Sequence, residues 1–393
     1  MGLTPFLSLC STLYEVGDDF SVSLLSISYG ADEVQQGVGI IQAENIILTQ
    51  LAAQGITVLA SSGDRGAYGT TGSFQEPTTL NVNDPSAQPL VTSVGGTTLS
   101  TGPHESFNGE VVWNDLTIDE GATGGGVSSY WPIPSWQTIA NADSNGGSIT
   151  NRNLPDVAAV GDPLTGVAVY SAVNGGWLEI GGTSVATPIW AGYLSILNSG
   201  LEYLNGDHIG FFNPTLYELM FYPIRQLVRT PPTVGRRGCL YDVSAGNNGD
   251  AALYGGLPGY TAGIDYDNCS GTGSLGASGG GFAFQILAPF WLGSLGSPGP
   301  VAGFTAKQVG TSLELSWVPD AGATGYVIGM FYGGQPPPQP FAQGLPNGGK
   351  CYVTKATTML VNGVAANTSY YLMVSAVNKS GASRAVYIPF TTN

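Results

Sequence analysis

A serine in a position suited to nucleophilic chemistry lies in the segment GGTSVATP, residues 181–188. Ser184 directly precedes an apolar stretch with helical spacing, so we predict that it stands at the N-terminus of a buried helix. Backbone N–H groups are unpaired at such a terminus and stabilise developing negative charge. Since a Gly-Thr-Ser sequence before a helix more often serves only as an N-cap, this position alone does not establish a nucleophile.

Other residues that could belong to a site follow predicted strands or lie in loops. Asp64 ends a strand in the segment SSGDRGA, where it is set among glycines, and the run GGGV at residues 124–127 lets the backbone approach a ligand closely. A serine nucleophile also needs a base, and the chain has two histidines, His104 and His208. Both are expected at the surface, so the base is expected to be a carboxylate.

The segment around Ser184 resembles the GTS(M/A)xxP signature of subtilisin-like serine peptidases, and the wider pattern resembles sedolisins, the serine-carboxyl peptidases. The motifs occur in the order found in that family: SISYG, GITVLASSGDRGA, PLVTSVGGT, EVVWND, TGGGVSSYWPIPSWQ, LPDVAA, GGTSVATP, GFFNPTLYEL and YDVSAGNN. The resemblance covers about residues 3–290. It implies a subtilisin-like α/β fold, a parallel sheet flanked by helices, for a peptidase domain at 1–296 that lacks its N-terminal part.

The resemblance also implies catalytic roles. It makes Ser184 the nucleophile and Asp64 the oxyanion-hole donor, with a Glu as general base and an Asp that supports that Glu. In the family this Glu and Asp lie on a helix well upstream of the strand that here reads LLSISYG, outside the present sequence. Glu15 and Asp19 share the ExxxD spacing, but we expect them in a loop beside that strand and do not favour them as the base. Asp156 of LPDVAA is assigned to structural hydrogen bonding.

A second implied site binds Ca²⁺. The segments containing Asp242-Val243 and Gly263–Asp267 resemble the two halves of the sedolisin calcium site. Calcium prefers six or more oxygen ligands, which mix carboxylates with backbone carbonyls. The expected ligands are the carboxylates of Asp242 and Asp267 and the carbonyls of Val243, Gly263 and Asp265. The carboxylate of Asp265 is left open as a further ligand, because the family has Gly there.

The elements that must position these residues follow from the hydrophobic pattern. FSVSLLSISYG, ITVLASSGD and PLVTSVGGTTL are predicted as buried strands, separated by helical patterns such as GVGIIQAENIILTQLAAQG, which should end at Gly55. The opening run MGLTPFLSLCSTLYEV has no basic n-region, so we interpret it as a helix rather than a signal peptide. Chemistry in α/β proteins lies at the carboxyl ends of such strands.

From about Ser297 the pattern changes to a Pro/Gly linker and short alternating strands. Several short strands at regular spacing predict an all-β, immunoglobulin-like sandwich over 297–393. Trp317 and Tyr370 resemble the core tryptophan and the tyrosine corner of fibronectin type III domains. Both aromatic residues are then packing residues, and the sequence does not identify a ligand for this module.

Composition limits the partners and the compartment. The formal net charge is −16, from 27 acidic and 11 basic residues, which disfavours nucleic acid and anionic membranes as partners. No apolar run is long enough to span a bilayer. The four cysteines form no CxxC motif, and a Cys239–Cys269 disulfide and four unpaired buried thiols are equally compatible with their spacing. Few basic residues suit an acidic extracellular or lysosome-like compartment.

These observations predict a serine peptidase that hydrolyses peptide bonds at acidic pH through an acyl-enzyme on Ser184, with Ca²⁺ as cofactor and peptides or proteins as substrates. The alternative is a catalytically inactive, sedolisin-like protein that binds peptides or acts in adhesion, because the Glu/Asp pair is absent from this sequence. The choice between endopeptidase and tripeptidyl-peptidase activity stays open.

Overall fold

The computed structural model describes residues 4–19, 21–68, 79–103, 106–205, 208–221, 240–254, 256–275, 300–332, 350–378, 381–382 and 386–393. These residues divide into two compact units, one built largely from residues before Ala277 and one that contains the described residues from Pro300 onward. The predicted boundary between 296 and 297 lies outside the described residues and stays a prediction.

The first unit has the predicted α/β character. Its main elements, in chain order, are α1 (Thr4–Gly17), β1 (Leu24–Ile27), β2 (Ala31–Asp32), α2 (Glu33–Gln36), α3 (Val38–Ala53), β3 (Thr57–Ser61), β4 (Asn83–Asp84), β5 (Thr92–Thr101), β6 (Phe107–Val112), β7 (Asn114–Asp115), β8 (Gly121–Ala122), β9 (Gly126–Pro132), β10 (Asn151–Leu154), β11 (Val157–Val160), β12 (Val167–Ser171), β13 (Gly176–Ile180), α4 (Thr183–Asn205) and α5 (Asn213–Phe221).

The central sheet is parallel, as predicted. Its strands follow the order β1-β3-β5-β11, and β6 adds to β5 in antiparallel orientation. All five residues of β3 are buried, which suits a parallel strand covered on both faces. Leu13 of α1, Leu48 of α3 and Val58 of β3 share one hydrophobic core, so both helices are held against the sheet.

Several local predictions are confirmed and one is wrong. The opening run forms α1, and α3 ends at Ala53, after which Gly55 takes a φ of 79°. Such a left-handed residue commonly ends a helix. Glu15, however, lies within α1 and not in a loop, because the apolar helical spacing continues to the end of that helix.

The second unit is a β-sandwich region with two antiparallel sheets. Its strands are β14 (Thr305–Val309), β15 (Ser312–Ser316), β16 (Gly325–Tyr332), β17 (Lys350–Thr354), β18 (Thr358–Asn362), β19 (Ser369–Asn378), β20 (Gly381–Ala382) and β21 (Val386–Thr391). One sheet has the order β14-β15-β18, and the other has β17-β16-β19-β20 with β21 also on β19.

Trp317 and Tyr370 pack in the core of this sandwich, as predicted for packing residues. Trp317 is 5% and Tyr370 1% exposed, in the same hydrophobic cluster. The Tyr370 hydroxyl accepts a hydrogen bond of 2.9 Å from the backbone N–H of Ala365, five residues upstream. This contact is typical of a tyrosine corner. The assignment to the fibronectin type III group stays a prediction.

Candidate active site

Asp64 and the start of α4 form one hydrogen-bonded unit. Both the backbone N–H and the hydroxyl of Thr183 donate to Oδ1 of Asp64, each at 2.7 Å. The backbone N–H of Gly63 in turn donates to the Thr183 hydroxyl oxygen at 3.1 Å. The turn after β3 and the first residue of α4 are therefore tied together, although they lie far apart in the sequence.

Ser184 follows in the first turn of α4, and its side chain is partly exposed. Its backbone carbonyl accepts a hydrogen bond of 2.8 Å from the hydroxyl of Ser28, just after β1. Ser184 and Asp64 line the same cleft, of about 550 Å³, together with Tyr29 and Gly121. The structure therefore brings the two predicted catalytic residues to one site at the carboxyl ends of the parallel strands.

No described group acts as a base for Ser184. Among the described residues, its hydroxyl makes no hydrogen bond to a carboxylate or an imidazole. Glu15 is exposed on α1, and Asp19 accepts bonds of 3.0 and 2.7 Å from the N–H and hydroxyl of Ser21. His208 is exposed and does not line the cleft, and His104 lies outside the described residues.

An exposed ion pair lies at the cleft beside Asp64. The Arg65 guanidinium lies 3.4 Å from a carboxylate oxygen of Asp119, with side chains 44% and 70% exposed. Such an exposed pair contributes little to stability, because solvent screens both charges. It nevertheless directs the guanidinium toward Asp119 on the cleft wall.

The run of glycines at 124–126 allows close packing within the protein, and its predicted approach to a ligand stays a prediction. A Cβ on Gly124 would lie 2.1 Å from the carbonyl oxygen of Ser62, and the N–H of Gly124 donates to the Gly63 carbonyl at 2.6 Å. None of these glycines lines the cleft. Gly124 packs directly against the turn that carries Asp64, whereas added Cβ atoms on Gly125 and Gly126 would meet Asn268 and Tyr260.

The predicted calcium ligands converge at loops of the first unit. The N–H of Asp265 lies 3.4 Å from Oδ2 of Asp242, and the N–H of Gly263 donates to Oδ2 of Asp267 at 3.1 Å. The Ser270 hydroxyl lies 3.2 Å from both the Val243 carbonyl oxygen and Oδ1 of Asp267. The two sequence segments are thus brought together, and their oxygen atoms are of the type that calcium prefers.

Burial explains the electrostatics of this loop cluster. Asp242 is 6% exposed and Asp267 is fully buried. Burial raises the pKa of Asp267 to about 7, against the opposing effect of hydrogen bonds from Ser270, Cys269 and Gly263. No group of three or more His, Cys, Asp or Glu side chains converges in the described part of the chain, so a cation here would need backbone carbonyls as ligands. The donor set fits that requirement.

Asp156 has the structural role assigned from sequence. Arg152 donates to both its carboxylate oxygens, at 3.0 and 2.6 Å, and both side chains are fully buried. Tyr217, Asn213 and the N–H of Ser93 also donate to this carboxylate. With every lone pair directed at a buried donor, Asp156 holds β5, α5 and the β10–β11 turn together and does not face the cleft.

The comparisons with known proteins agree with this geometry. A model described as "Subtilase family" matches residues 11–230, more than half of the chain. The chain belongs to the subtilase family. This subtilase is 39% identical to kumamolisin of Bacillus sp. (strain MN-32) over 64% of its length and 40% of the relative's. It is 36% identical to sedolisin of Pseudomonas sp. (strain 101), over 65% of this chain and 40% of the relative. It is 33% identical to tripeptidyl-peptidase 1 of Homo sapiens, over 49% of this chain and 33% of the relative.

A solved structure supports the same relationship. Pseudomonas sedolisin (serine-carboxyl proteinase), complexed with two molecules of pseudo-iodotyrostatin, aligns with a TM-score of 0.57 at 33% identity, over 70% of this chain and 67% of that one. The present chain spans about 40% of the length of the first curated relatives. No described helix is long and apolar enough to cross a membrane.

Two residues of the site were missed by sequence reasoning. The Gly-Thr-Ser sequence indicates only an N-cap, but Thr183 donates twice to Asp64. Ser28 was not considered, although it anchors the backbone of Ser184. Their motifs, GGTS and SISYG, are recognisable in the sequence, but the pairing partner of each residue lies more than a hundred positions away in the chain.

Proposed function

We propose that this subtilase is a sedolisin-type serine peptidase that hydrolyses peptide bonds at acidic pH. The observation that carries the proposal is the arrangement at the cleft, where Ser184 lies in the first turn of α4 and Asp64 is fixed against the same helix start. The order of the motifs and the similarity to serine-carboxyl proteinases support the same interpretation. Peptides or proteins are the proposed substrates.

The proposed reaction begins with attack by Oγ of Ser184 on the carbonyl carbon of the scissile bond. A base removes the hydroxyl proton, and the C–N bond then breaks as the leaving amine takes up a proton. The acyl-enzyme is hydrolysed by water in the same way. Protonated Asp64 donates a hydrogen bond to the carbonyl oxygen as negative charge develops there.

Activity at acidic pH is expected because two carboxyl groups must have opposite protonation states. Asp64 donates only while it is protonated, and a carboxylate base accepts a proton only while it is ionised. The sedolisin resemblance assigns the base to a Glu, supported by an Asp, on a helix upstream of the present sequence. A protein containing that helix would satisfy both requirements below about pH 5.

The test compares the 393-residue chain with a form extended upstream to include an ExxxD helix. We expect the chain alone to hydrolyse peptides barely above background, because loss of a coupled base costs on the order of 10⁴-fold in rate. The extended form should be active at acidic pH, and Ser184→Ala should abolish that activity. Robust turnover by the unextended chain that depends on Ser184 would contradict the proposal and return attention to Glu15 and Asp19.

The alternative function is peptide binding without catalysis. The specific observation in its favour is that no described carboxylate or imidazole contacts the Ser184 hydroxyl. A peptide that binds equally well to the Ser184→Ala variant and is never cleaved by the extended form would favour this alternative.

We also propose a Ca²⁺ site. The carboxylates of Asp242 and Asp267 and the carbonyls of Val243, Gly263 and Asp265 would hold the ion, which would supply positive charge for two buried carboxylates. The support is the convergence of both segments on Ser270 and the burial of Asp267 without a basic partner among the described ion pairs. The role would be structural, because the ion would tie two separate loops together.

Two further assignments remain proposals. The all-β unit is proposed to be a fibronectin type III module, supported by the Tyr370 hydrogen bond and the packing of Trp317. An acidic extracellular or lysosome-like location is proposed from the acidic composition.

A further inference from the structure

The hydrogen bonds around Thr183 determine the direction of its hydroxyl hydrogen. The Thr183 oxygen accepts from the N–H of Gly63 at 3.1 Å, and its own hydrogen therefore remains available to Oδ1 of Asp64 at 2.7 Å. The N–H of Thr183 donates to the same oxygen at 2.7 Å. With the hydroxyl hydrogen and the backbone N–H of Thr183 both directed at Oδ1, that oxygen acts as an acceptor.

An acceptor at Oδ1 decides where a proton on Asp64 must reside. A hydrogen on Oδ1 would point at two other hydrogens, so the protonated form carries its hydrogen on Oδ2. That oxygen lies on the side of Gly182, where an added Cβ would be only 2.8 Å away. Gly182 also has a φ of 92°, which side-chain-bearing residues rarely adopt, so both features require glycine there.

We propose that Thr183 is a positioning residue that selects Oδ2 as the proton-bearing oxygen of Asp64. This inference rests on the proposed function, in which Asp64 donates to the developing oxyanion. Without the Thr183 hydroxyl, only the backbone N–H remains directed at Oδ1, so the preference for a proton on Oδ2 weakens. Only one of the two placements serves the reaction. The carboxylate also loses one of its two described donors, which favours the protonated form over the ionised one.

The test uses the upstream-extended form with Thr183→Val, which removes the hydroxyl and keeps the shape, and Thr183→Ser, which keeps the hydroxyl. For the valine variant we expect kcat to fall about 10- to 100-fold, less than the loss of a whole oxyanion-hole donor, with KM within about twofold. The alkaline limb of its kcat profile should move to higher pH. The serine variant should restore most of kcat and the original limb.

The outcomes separate this inference from the proposed function. If Ser184→Ala abolishes turnover but Thr183→Val keeps the wild-type kcat and pH profile, the role of Thr183 is wrong and the function stands. A lower kcat with an unmoved alkaline limb, or no rescue by serine, indicates only a structural role and also overturns the inference. If Ser184→Ala retains activity, the proposed function itself fails.

A second, independent observation concerns buried acids away from the catalytic residues. Asp32, Glu33, Glu44 and Asp84 are each no more than 2% exposed, on β2, α2, α3 and β4. The described ion pairs are Arg65–Asp119 and Arg152–Asp156, so none of them neutralises Glu33, Glu44 or Asp84. Burial of an ionised carboxylate is strongly unfavourable unless donors or charges compensate it.

The donors are distributed unequally among these acids. Glu33 accepts from the hydroxyl of Ser128 and from the N–H and hydroxyl of Ser129. Asp84 accepts from Gln88 at 2.9 Å and from Gln36 at 3.4 Å.

Glu44 differs from both of these acids. Within the described residues, neither of its buried carboxyl oxygens has a hydrogen-bond donor. Gln88 donates both to the Ile41 carbonyl, one turn before Glu44 on α3, and to Asp84, so this part of α3 lies against Asp84. The carboxyl groups of Glu44 and Asp84 interact there, and an ionised Asp84 is itself an acceptor. A proton between the two groups is the arrangement that satisfies both.

We propose that Glu44 and Asp84 share one proton and thereby fasten α3 to β4 at acidic pH. Asn83, the neighbour of Asp84 on β4, lines the cleft, and a Cβ on Gly63 would lie 2.4 Å from its side-chain nitrogen. The pair thus supports the wall of the cleft that faces the Asp64 turn. Glu33 on α2 adds further negative charge near Asp84, which strengthens the need for the proton.

The direction of the pH dependence follows from linkage. Burial raises the pKa of both Glu44 and Asp84, and their mutual proximity raises that of Asp84 further. A carboxyl whose pKa is raised on folding contributes stability that is fully present below its unfolded pKa, about 4, and lost as pH rises through the folded value. The pair therefore favours the folded state in acid and opposes it as the pH rises.

The test measures urea unfolding of the 393-residue chain between about pH 5 and about pH 8. Where the folded state binds one more proton than the unfolded state, the equilibrium constant for unfolding rises about tenfold with each unit of increasing pH. Glu44→Gln places an amide donor against Asp84, so Asp84 no longer needs the shared proton. The unfolding constant of this variant should therefore rise with pH less steeply than that of the wild type, by about a factor of ten per pH unit. Asp84→Asn should lose a similar slope, which provides a second variant should the first fold poorly.

Glu179→Gln is the matched control, because Glu179 is exposed on β13 and undergoes the same chemical change. It should keep the wild-type slope. The proposal is overturned if Glu44→Gln and the control have equal slopes, or if Glu44→Gln steepens the loss of stability with pH. Catalysis plays no part in this measurement, so its outcome does not depend on the proposed peptidase activity.

Discussion

Asp64→Asn provides a sharp test of how the oxyanion is stabilised. The amide oxygen of the substituted side chain would take the place of Oδ1, because Thr183 directs two donors at that position. The amide nitrogen would then take the place of Oδ2, on the side of Gly182. The variant therefore retains an N–H donor for the oxyanion, at every pH, but loses the acidic O–H.

The expected loss of kcat depends on whether the variant keeps a hydrogen-bond donor at the position of Oδ2. Removing a complete oxyanion-hole donor costs about 10²–10³-fold in kcat, or about 2.7–4 kcal/mol. Asp64→Ala should show the full loss. Asp64→Asn should also reduce activity sharply, by about 10²-fold at acidic pH, since a neutral amide is a weaker donor than a carboxylic acid. Because the amide does not ionise in this range, the ratio of wild-type activity to that of the amide variant should shrink as pH rises.

The assay is the pH dependence of kcat and kcat/KM for a peptide substrate in the upstream-extended form. Asp143→Asn, the same change at an exposed position of the short 3₁₀ helix Ala142–Asn145, serves as the matched control and should leave the profile unaltered. If Asp64→Asn is as inactive as Asp64→Ala at every pH, or if it keeps the wild-type alkaline limb, the assignment of Asp64 as a protonated donor is refuted.

Three further predictions address the rest of the molecule. Chelation of Ca²⁺ should lower the thermal unfolding temperature, and Asp242→Asn should remove that sensitivity; an unchanged midpoint at acidic and neutral pH would count against the site. Asp156→Asn should destabilise by about 3–5 kcal/mol in urea unfolding, because it leaves the Arg152 cation buried without a carboxylate. Arg152→Met should cost less than Asp156→Asn, since the remaining carboxylate keeps three described donors and can take up a proton; equal costs would contradict this reasoning.

Much of the fold could be predicted because its signals are local. The buried strand β3 begins with four apolar or β-branched residues, and α3 ends two residues before Gly55, which takes a positive φ. The alternation of short strands after Pro300 likewise predicts the two antiparallel sheets. Such patterns depend on neighbours in the chain and need no knowledge of tertiary contacts.

The missed features depend on tertiary contacts. The glycines at 124–126 indicate a flexible loop in the sequence, but the carbonyl of Ser62 lies where a side chain would be. Glu44 lies three residues after Ile41 and four before Leu48, on the buried face of α3, and it is fully buried beside Asp84. Charged residues are expected at the surface, so nothing in the sequence of α3 indicates that Glu44, its single acidic residue, lies against another acid.

Two separate sites, Asp64 and the Glu44–Asp84 pair, are thus proposed to hold a proton at low pH. Loss of each proton as pH rises has a different expected effect. Loss of the proton on Asp64 removes a hydrogen-bond donor and should reduce turnover reversibly while the fold remains intact. Loss of the proton between Glu44 and Asp84 leaves two buried negative charges and should lower stability whether or not Ser184 is functional. The variant Glu44→Gln should therefore widen the pH range of the folded state without moving the alkaline limb of kcat. If that limb moved together with stability, loss of activity would reflect unfolding, and the pH profile would carry no information on Asp64.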